Sequence, residues 1–321
     1  MSNTQKFFIG PMSKQIVDCI LTQDANVFGI IPSRRQIDYK SGYVNNWNTQ
    51  SFSEYVKSIN SNFLICRDHA GAMQGSDADD GYDSLNSDCH HFDMIHIDPW
   101  KYTKNIDEAI ELSVNYIKYC NSLNKELLFE IATEESIFYF EDEALKYFID
   151  SVYKNLGELF EKITHIVIQS GTKLKGNNQI GQYSSERLTN QIRIVKKFDK
   201  FAKEHNGDYM PVTLIKEKFN LGLDSINIAP EFGYIQTCAI LENIDDEKFE
   251  LFYKLCLDSG KWKNWVSQDF NPESNKLELV KISGHYVYSN EIFISKILNE
   301  CNLSQISNQI NKKLGELNDI V

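Results

Sequence analysis

Short apolar runs recur along this chain, and helix-length stretches separate most of them. The first run is FFIGPMS near the N-terminus, and in seven later segments an apolar run meets polar residues. These are IPSRRQ (31–36), ICRDHAG (65–71), IHIDPW (95–100), FEIATEE (129–135), IQSGTK (168–173), EHNGDY (204–209) and INIAPEFG (226–233). Eight strands alternating with helices predict an α/β fold, the (β/α)8 TIM barrel, whose functional residues lie at the C-terminal strand ends.

The apolar runs also place the individual elements. Strands are expected over 7–10, 27–31, 63–66, 94–97, 127–131, 165–169, 225–228 and somewhere within 200–210. Segment 200–210 fits almost as well as the end of a helix predicted over 186–203. Segment 75–91 is rich in Asp, Gly and Ser, so we expect a loop that covers the site.

The length predicts more than a barrel. A barrel of this kind typically uses about 250 residues, and the chain has 321. We therefore expect a barrel domain over residues 1–240 that carries the site, and a mostly helical C-terminal extension over 241–321 packed on it. The extension would cap the barrel or form an oligomer interface.

Net charge and cysteine usage limit the partners and the cellular compartment that we expect for this protein. A net charge of −12 and a pI near 5.1 argue against nucleic acid or an anionic membrane as the main partner. Seven scattered cysteines without a CxxC pair indicate reduced thiols. The N-terminus has no signal-peptide pattern and no apolar run reaches membrane length, so a cytoplasmic protein is expected.

Ionisable residues at the predicted strand ends are the candidates for chemistry. Asp68 and His69 are adjacent, so the imidazole could bind a divalent metal while the carboxylate moves a proton; the alternative is a turn-capping Asp beside a surface His. His96 and Asp98 point to the same side of one strand. Asp98 is assigned to the site, whereas His96 could equally be a hydrogen-bonded core residue. Glu130 ends an apolar strand and is expected to face the site.

Other strand ends suggest anion binding and a second imidazole. Ser170 and Lys173 flank a glycine and suit a phosphate, although an ordinary glycine turn fits as well. Arg34 and Arg35 could clamp an anion or face solvent. His205, followed closely by Asp208, offers a further imidazole for a metal.

Taken in order, these motifs resemble the D-tagatose-bisphosphate aldolase family of the Z type, the so-called non-catalytic subunit, within the class II aldolase-like superfamily. The matching segments cover most of the chain. They are RDHAGA (67–72), IHID (95–98), ATE (132–134), VIQSG (167–171), KEHNGDYM (203–210), INIAPEFGY (226–234) and YSNE (288–291).

The resemblance implies a divalent metal, in that superfamily Zn, and a role for each matched residue. It makes Asp68 the proton carrier, His69 and His205 metal ligands, Asn227 a substrate contact, and Glu130 a further ligand or base. A Gly-Ala-Ser-type loop and a Val-Asn-type strand end hold a dihydroxyacetone phosphate-like substrate in that superfamily.

The chain also departs from the family pattern. Arg67 stands where the family usually has Gly, and a third imidazole is not evident because Gln169 and Gly171 lie near its expected place. Gln169 is kept as a substrate-binding candidate. The favoured interpretation is a metal-dependent lyase or epimerase acting on a sugar phosphate or sugar acid. The alternatives are a silent partner of a catalytic aldolase chain, and a carbohydrate-binding barrel without turnover; a homo-oligomer is also open.

Overall fold

The computed structural model describes residues 4–321, and they confirm the predicted barrel. One sheet contains eight parallel strands in the spatial order β2-β1-β8-β7-β6-β5-β4-β3. Two isolated parallel bridges, Ile30 with Ile65 and Ser33 with Asp68, join β2 to β3 and close the circle. The strands are β1 (Phe7–Ile9), β2 (Phe28–Ile30), β3 (Cys66–Ala70), β4 (Met94–Ile97), β5 (Leu128–Ile131), β6 (Ile163–Val167), β7 (Phe201–Glu204) and β8 (Ser225–Ile228).

One helix follows each strand, so the βα unit repeats eight times. Polar side chains begin several of these helices; Asn48 and Asn105, for example, accept hydrogen bonds from first-turn amides, which would otherwise lack partners. The helices are α1 (Lys14–Leu21), α2 (Thr49–Ile59), α3 (Tyr82–His91), α4 (Ile106–Leu123), α5 (Asp142–Leu156), α6 (Ser185–Lys196), α7 (Val212–Asn220) and α8 (Pro230–Leu241).

Two local predictions were wrong. The helix expected over 186–203 ends at Lys196, because Asp199 adopts a left-handed backbone (φ 58°) and β7 begins at Phe201. The segment expected as a loop contains α3, which buries Leu85 and Cys89 one helical turn apart. Its apolar face is narrow because a buried carboxylate, Asp88, takes one of the inward positions.

Inside the barrel, one layer of side chains is apolar, and the next layer contains charged side chains. Phe8, Ile31, Cys66 and Met94 form a small buried cluster separate from the main core. The main core lies between the strands and the helices. This division leaves the C-terminal strand ends as the place where buried polar side chains gather.

The chain after α8 is helical and packs on the barrel wall. α12 contacts α1 and α8, and α10 contacts α8 and α9. Lys313 of α12 lies 2.7 Å from Glu231 of α8. Within residues 4–321, no helix combines the length and the apolar character that crossing a membrane requires. The helices of this region are α9 (Asp246–Ser259), α10 (Lys276–Ser283), α11 (Glu291–Lys296) and α12 (Leu303–Asn318).

Candidate metal centre

A bulge in β3 turns two adjacent side chains toward one site. In a regular strand neighbouring side chains point to opposite faces, but the pairing of β3 with β4 shifts register between Arg67 and Ala70. His69, inside that shift, has φ 47°. A bulge of this kind inserts an extra residue and re-aims its side chains, so Asp68 and His69 both reach the same group of residues.

Three imidazoles and one carboxylate form this group, which we call the candidate metal centre: Asp68, His69, His96 and His205. One ligand atom from each lies within 4.8 Å of all the others. Asp68 Oδ1 is 3.5 Å from His69 Nε2, 3.8 Å from His96 Nδ1 and 3.6 Å from His205 Nδ1. Such spacing suits nitrogen and oxygen ligands about 2 Å from one shared ion.

The second nitrogen of every imidazole is already bonded. His69 Nδ1 lies 2.5 Å from Asp98 Oδ2, His96 Nε2 lies 2.8 Å from the carbonyl oxygen of Ala132, and His205 Nε2 lies 2.7 Å from Glu130 Oε1. Metal-ligating histidines are usually fixed in this way.

The remaining ring nitrogens and the carboxylate meet at the centre. The backbone amide of His69 donates a hydrogen bond to His96 Nδ1 (3.2 Å), and a metal bound at this nitrogen would replace that bond. Asp68 Oδ1 is buried and has no hydrogen-bond partner among the described residues. A buried carboxylate oxygen without a partner is costly, and a divalent cation held by the three imidazoles would lie beside it and lower that cost. The donor set therefore fits a metal such as Zn²⁺.

The electrostatics of the centre favour a charged pair when no ion is bound. Burial acts against both charges, but His69 and its neighbours hold the pKa of Asp68 well below its usual range. Asp68 and Asp98 outweigh burial in turn and raise the pKa of His69 to about 9. Burial lowers the pKa of His205 despite Glu130. A metal must therefore displace a proton from His69.

Asp98 and Glu130 were both predicted as catalytic residues, and Glu130 also as a ligand. The structure places them behind the imidazoles instead. Asp98 accepts hydrogen bonds from His69, from Thr133 Oγ1 (3.0 Å) and from the Trp100 amide (3.0 Å). Glu130 binds His205 through one oxygen and Lys203 Nζ (2.6 Å) through the other. Both orient imidazoles.

His96 supplies the third imidazole that the resemblance left without a counterpart. It lies on β4 and is fully buried, and it joins the centre because the bulge of β3 brings His69 within 4.9 Å between ring centroids. The alternation His-Ile-Asp in 96–98 was the only sequence indication. Lys203, which balances Glu130, was not anticipated either.

Arg34, a candidate for an anion clamp, is paired within the protein. Its guanidinium is buried and already binds Asp38 (3.0 Å), Asp79 (2.5 Å) and the carbonyl oxygen of Gly71 (3.0 Å). Arg34 thus ties the loop after β3 to the loop after β2. Arg35 is exposed on a separate polar surface cleft.

The predicted phosphate loop after β6 is also used internally. Gln169 accepts from the Phe140 amide (3.0 Å) and donates to the carbonyl oxygen of Phe138 (2.7 Å). Ser170 receives a hydrogen bond from Lys218 Nζ (2.7 Å). Lys173 is exposed beside a short hairpin of Leu174–Lys175 and Asn178–Gln179. These groups therefore do not converge on an anion site.

A cavity of about 270 Å³ opens beside the candidate metal centre. Asn227 of β8 lines it, and both side-chain amide atoms are buried without a partner in the described chain. Two unpartnered polar atoms beside a cavity could bind the polar groups of a ligand. The lining residues are Asp68, His69, Glu134, Ser136, Leu174, His205, Asn206, Asp208, Asn227, Ala229, Pro230 and Trp265.

The start of α8 forms one wall of this cavity. Asp208 Oδ1 accepts hydrogen bonds from the amides of Ala229 and Glu231, each at 2.8 Å. Glu231 accepts from the Tyr209 amide (2.8 Å) and pairs with Lys313. Asp208 therefore lines the cavity as predicted by position, but its carboxyl group is bonded to the helix. Trp265, from the extension, was not predicted.

The fold of this chain has many counterparts among solved structures. The chain is similar to a probable tagatose 6 phosphate kinase from Sinorhizobium meliloti 1021, with TM-score 0.78, 12% identity, and 99% and 100% of the two chains covered. It is also similar to fructuronate-tagaturonate epimerase UxaE from Cohnella laeviribosi, with TM-score 0.64, 10% identity, and 100% and 82% covered.

A third similar structure is fructose-bisphosphate aldolase from Campylobacter jejuni, with TM-score 0.60, 15% identity, and 98% and 90% of the two chains covered. At these identities the likenesses show the fold. No protein-family model and no curated protein sequence matches the chain.

Proposed function

We propose that this protein is a metal-dependent enzyme that acts on a sugar phosphate or a related carbohydrate at its carbonyl group, in the manner of class II aldolases and carbohydrate epimerases. One observation carries the proposal. Three anchored imidazoles and the unpartnered Asp68 Oδ1 converge at the mouth of the barrel. The fold shared with an aldolase and a sugar epimerase supports it.

The residues divide the work as follows. His69, His96 and His205 would hold a divalent ion, Zn²⁺ by the donor set, and such an ion would supply Lewis-acid polarisation of the substrate carbonyl. Asp68 takes the proton from the carbon beside the carbonyl, or returns it, because its oxygen has no other partner. Asn227 offers an amide donor and an acceptor that orient the substrate's hydroxyl groups.

Two substitutions test this assignment. His69→Ala is expected to lose bound metal and activity together. Asp68→Asn is expected to keep the fold and the metal, and to lose about 10²–10⁴-fold in turnover. It should also lose exchange of the substrate's carbon-bound proton with solvent deuterium, since that exchange reports the enediolate.

The measurements are metal content per chain and deuterium exchange by NMR across a sugar and sugar-phosphate panel. His90→Ala is the matched control, because His90 is exposed on α3 and bonded only to the Asn86 carbonyl oxygen (2.7 Å). Exchange at the wild-type rate in Asp68→Asn would show that another group carries the proton.

The second candidate is a silent accessory subunit of a tagatose-bisphosphate-type aldolase. The order of motifs that resembles the Z-type family motivates it. So do apolar side chains exposed in the extension over 241–321: Leu277, Ile292 and Leu303 are each about half exposed. A wild type that exchanges no proton with any sugar, yet co-purifies with an aldolase chain, would favour this function.

A further inference from the structure

The cavity beside the candidate metal centre contains a ready-made anion position. The first amides of a helix lack partners within the helix and carry partial positive charge. The amides of Ala229 and Glu231, at the start of α8, point to this wall of the cavity. Such a helix terminus is a common binding site for phosphate.

That position is filled by the protein itself. Asp208 Oδ1 accepts both amide hydrogen bonds at 2.8 Å, and only 2% of Asp208 is exposed. The carboxyl group therefore stands where a phosphate oxygen of a ligand would bind. An external anion would have to break both hydrogen bonds and displace the Asp208 carboxyl group.

The turn that carries Asp208 is rigid. Asn206 and Tyr209 both have left-handed backbones, with φ 61° and 59°. Gly207 packs so closely that a Cβ there would lie 2.1 Å from Ile226 Cγ2. Gln179 donates hydrogen bonds to the carbonyl oxygens of Asn206 (2.6 Å) and Asp208 (2.8 Å). These contacts fix the backbone of the turn, and the two amide hydrogen bonds hold the Asp208 carboxyl group.

Among residues 4–321, those that line the cavity include no cation that would bind a phosphate. Within the described chain, none of the lining residues is a lysine or an arginine, whereas Asp68, Glu134 and Asp208 are carboxylic acids. Arg34, the buried cation expected to bind an anion, is paired with Asp38 and Asp79. The polar atoms left unpartnered beside the centre belong to the neutral amide of Asn227 and to Asp68.

We propose that Asp208 is a built-in substitute for a substrate phosphate, so that the cavity selects an unphosphorylated polyhydroxy carbonyl compound and rejects the corresponding phosphate ester. The carbonyl chemistry in this statement rests on the proposed function, but the exclusion of phosphate rests only on Asp208 and the start of α8.

The exclusion does not depend on the charge state of Asp208. Burial, together with Glu231, raises the pKa of Asp208 to about 8, so both forms occur near neutral pH. A carboxyl oxygen accepts the two amide hydrogen bonds in either form. The exclusion of phosphate therefore follows from the carboxyl group of Asp208 occupying the start of α8, and the experiment must vary that occupancy rather than the charge.

The test compares dihydroxyacetone with dihydroxyacetone phosphate, which differ only by the phosphate, on metal-loaded protein. Trp265 lines the cavity, so its fluorescence reports binding. Asp208→Gly and Asp208→Ser free the two amides, whereas Asp208→Asn keeps an acceptor oxygen and removes the charge. We expect the wild type and Asp208→Asn to bind the phosphate ester no tighter than dihydroxyacetone.

Freeing the amides should change the preference. In Asp208→Gly and Asp208→Ser the affinity for the phosphate ester relative to dihydroxyacetone is expected to rise about tenfold or more, as for charge-assisted hydrogen bonds. Either variant suffices if the other fails to fold. A wild type that already prefers the phosphate ester tenfold, or a folded Gly or Ser variant without gain, overturns the proposal. A gain in affinity without turnover of any sugar leaves it intact and counts against the proposed function instead.

Discussion

At the residue scale, the candidate metal centre depends on groups that sit behind its ligands. Asp98, Glu130 and the Ala132 carbonyl oxygen each hold one nitrogen of an imidazole. The other nitrogen of each ring lies 3.5 to 3.8 Å from Asp68 Oδ1. Buried carboxylates would be costly without partners. Here they are satisfied by the imidazoles and by Lys203, so the same contacts stabilise the fold and orient the ligands.

The raised pKa of His69 predicts that metal binding releases a proton. His69 has a pKa of about 9 in the metal-free centre, so at about pH 7 its Nε2 carries a proton that the metal must displace. Calorimetry of Zn²⁺ binding in buffers of different ionisation enthalpy should show about one proton released per chain near pH 7. Near pH 10, above the pKa, the release should fall towards zero. Equal release at both pH values would contradict the ion pair.

The same shift affects folding stability, and its sign follows from linkage. A group whose pKa is raised in the folded state stabilises the fold fully below its unfolded pKa and loses that contribution as pH rises. The metal-free protein should therefore lose part of its stability between about pH 6.5 and 9.

At the element scale, the bulge of β3 is held from outside by a buried ion pair. Arg67, within β3, binds Asp88 of α3 (2.6 Å), and both side chains are completely buried. Arg67 also donates to the carbonyl oxygens of Pro32 (3.0 Å) and Ile37 (2.7 Å). Arg67 thus fixes α3 and the loop after β2 around the segment that carries Asp68.

Arg67→Met is expected to lower the free energy of unfolding by about 3–5 kcal/mol, because it leaves Asp88 buried without its partner. Urea unfolding measures this loss. The control is Lys146→Ala in the exposed Lys146–Asp150 pair of α5 (3.7 Å), which should cost about 0.5 kcal/mol or less. If both variants lose the same small amount, the pair does not hold the bulge.

The strands could be predicted from the sequence wherever a single apolar run corresponds to a single strand. All eight barrel strands fall on or beside runs visible in the sequence. The order of the motifs along the chain also predicted that Asp68, His69 and His205 lie at the same mouth of the barrel. Segment 200–210 was ambiguous because Lys203, a buried strand residue, neutralises Glu130 from 73 positions away, and such pairing is invisible along the chain.

The site was predictable only in part for the same reason. His96 becomes a candidate ligand through a register shift in the neighbouring strand. Arg34 looks like an anion clamp until Asp38 and Asp79 are brought beside it. Local pattern therefore identifies which residues reach the mouth of the barrel, while long-range partners decide what each one is free to do.

At the scale of the whole molecule, the barrel and the extension build the cavity together. Trp265, which follows α9, lines the same space as Asn227 of β8 and donates to the Tyr286 hydroxyl (3.2 Å). α12 reaches the start of α8 through the pair of Lys313 with Glu231. We propose that the extension over 241–321 completes the site as well as covering the wall.

Two tryptophans of one short segment separate these roles. Trp262 is buried and bonded to the Leu257 carbonyl oxygen (3.2 Å), whereas Trp265 faces the cavity. Trp265→Ala should weaken binding of the sugar found in the panel by up to about tenfold, the value of one lost aromatic contact, with little change in melting temperature. Trp262→Ala should do the reverse, lowering stability by about 3 kcal/mol or more. Unchanged sugar affinity in a folded Trp265→Ala would show that the barrel alone forms the site, because this side chain is the extension's contact with the cavity among residues 4–321.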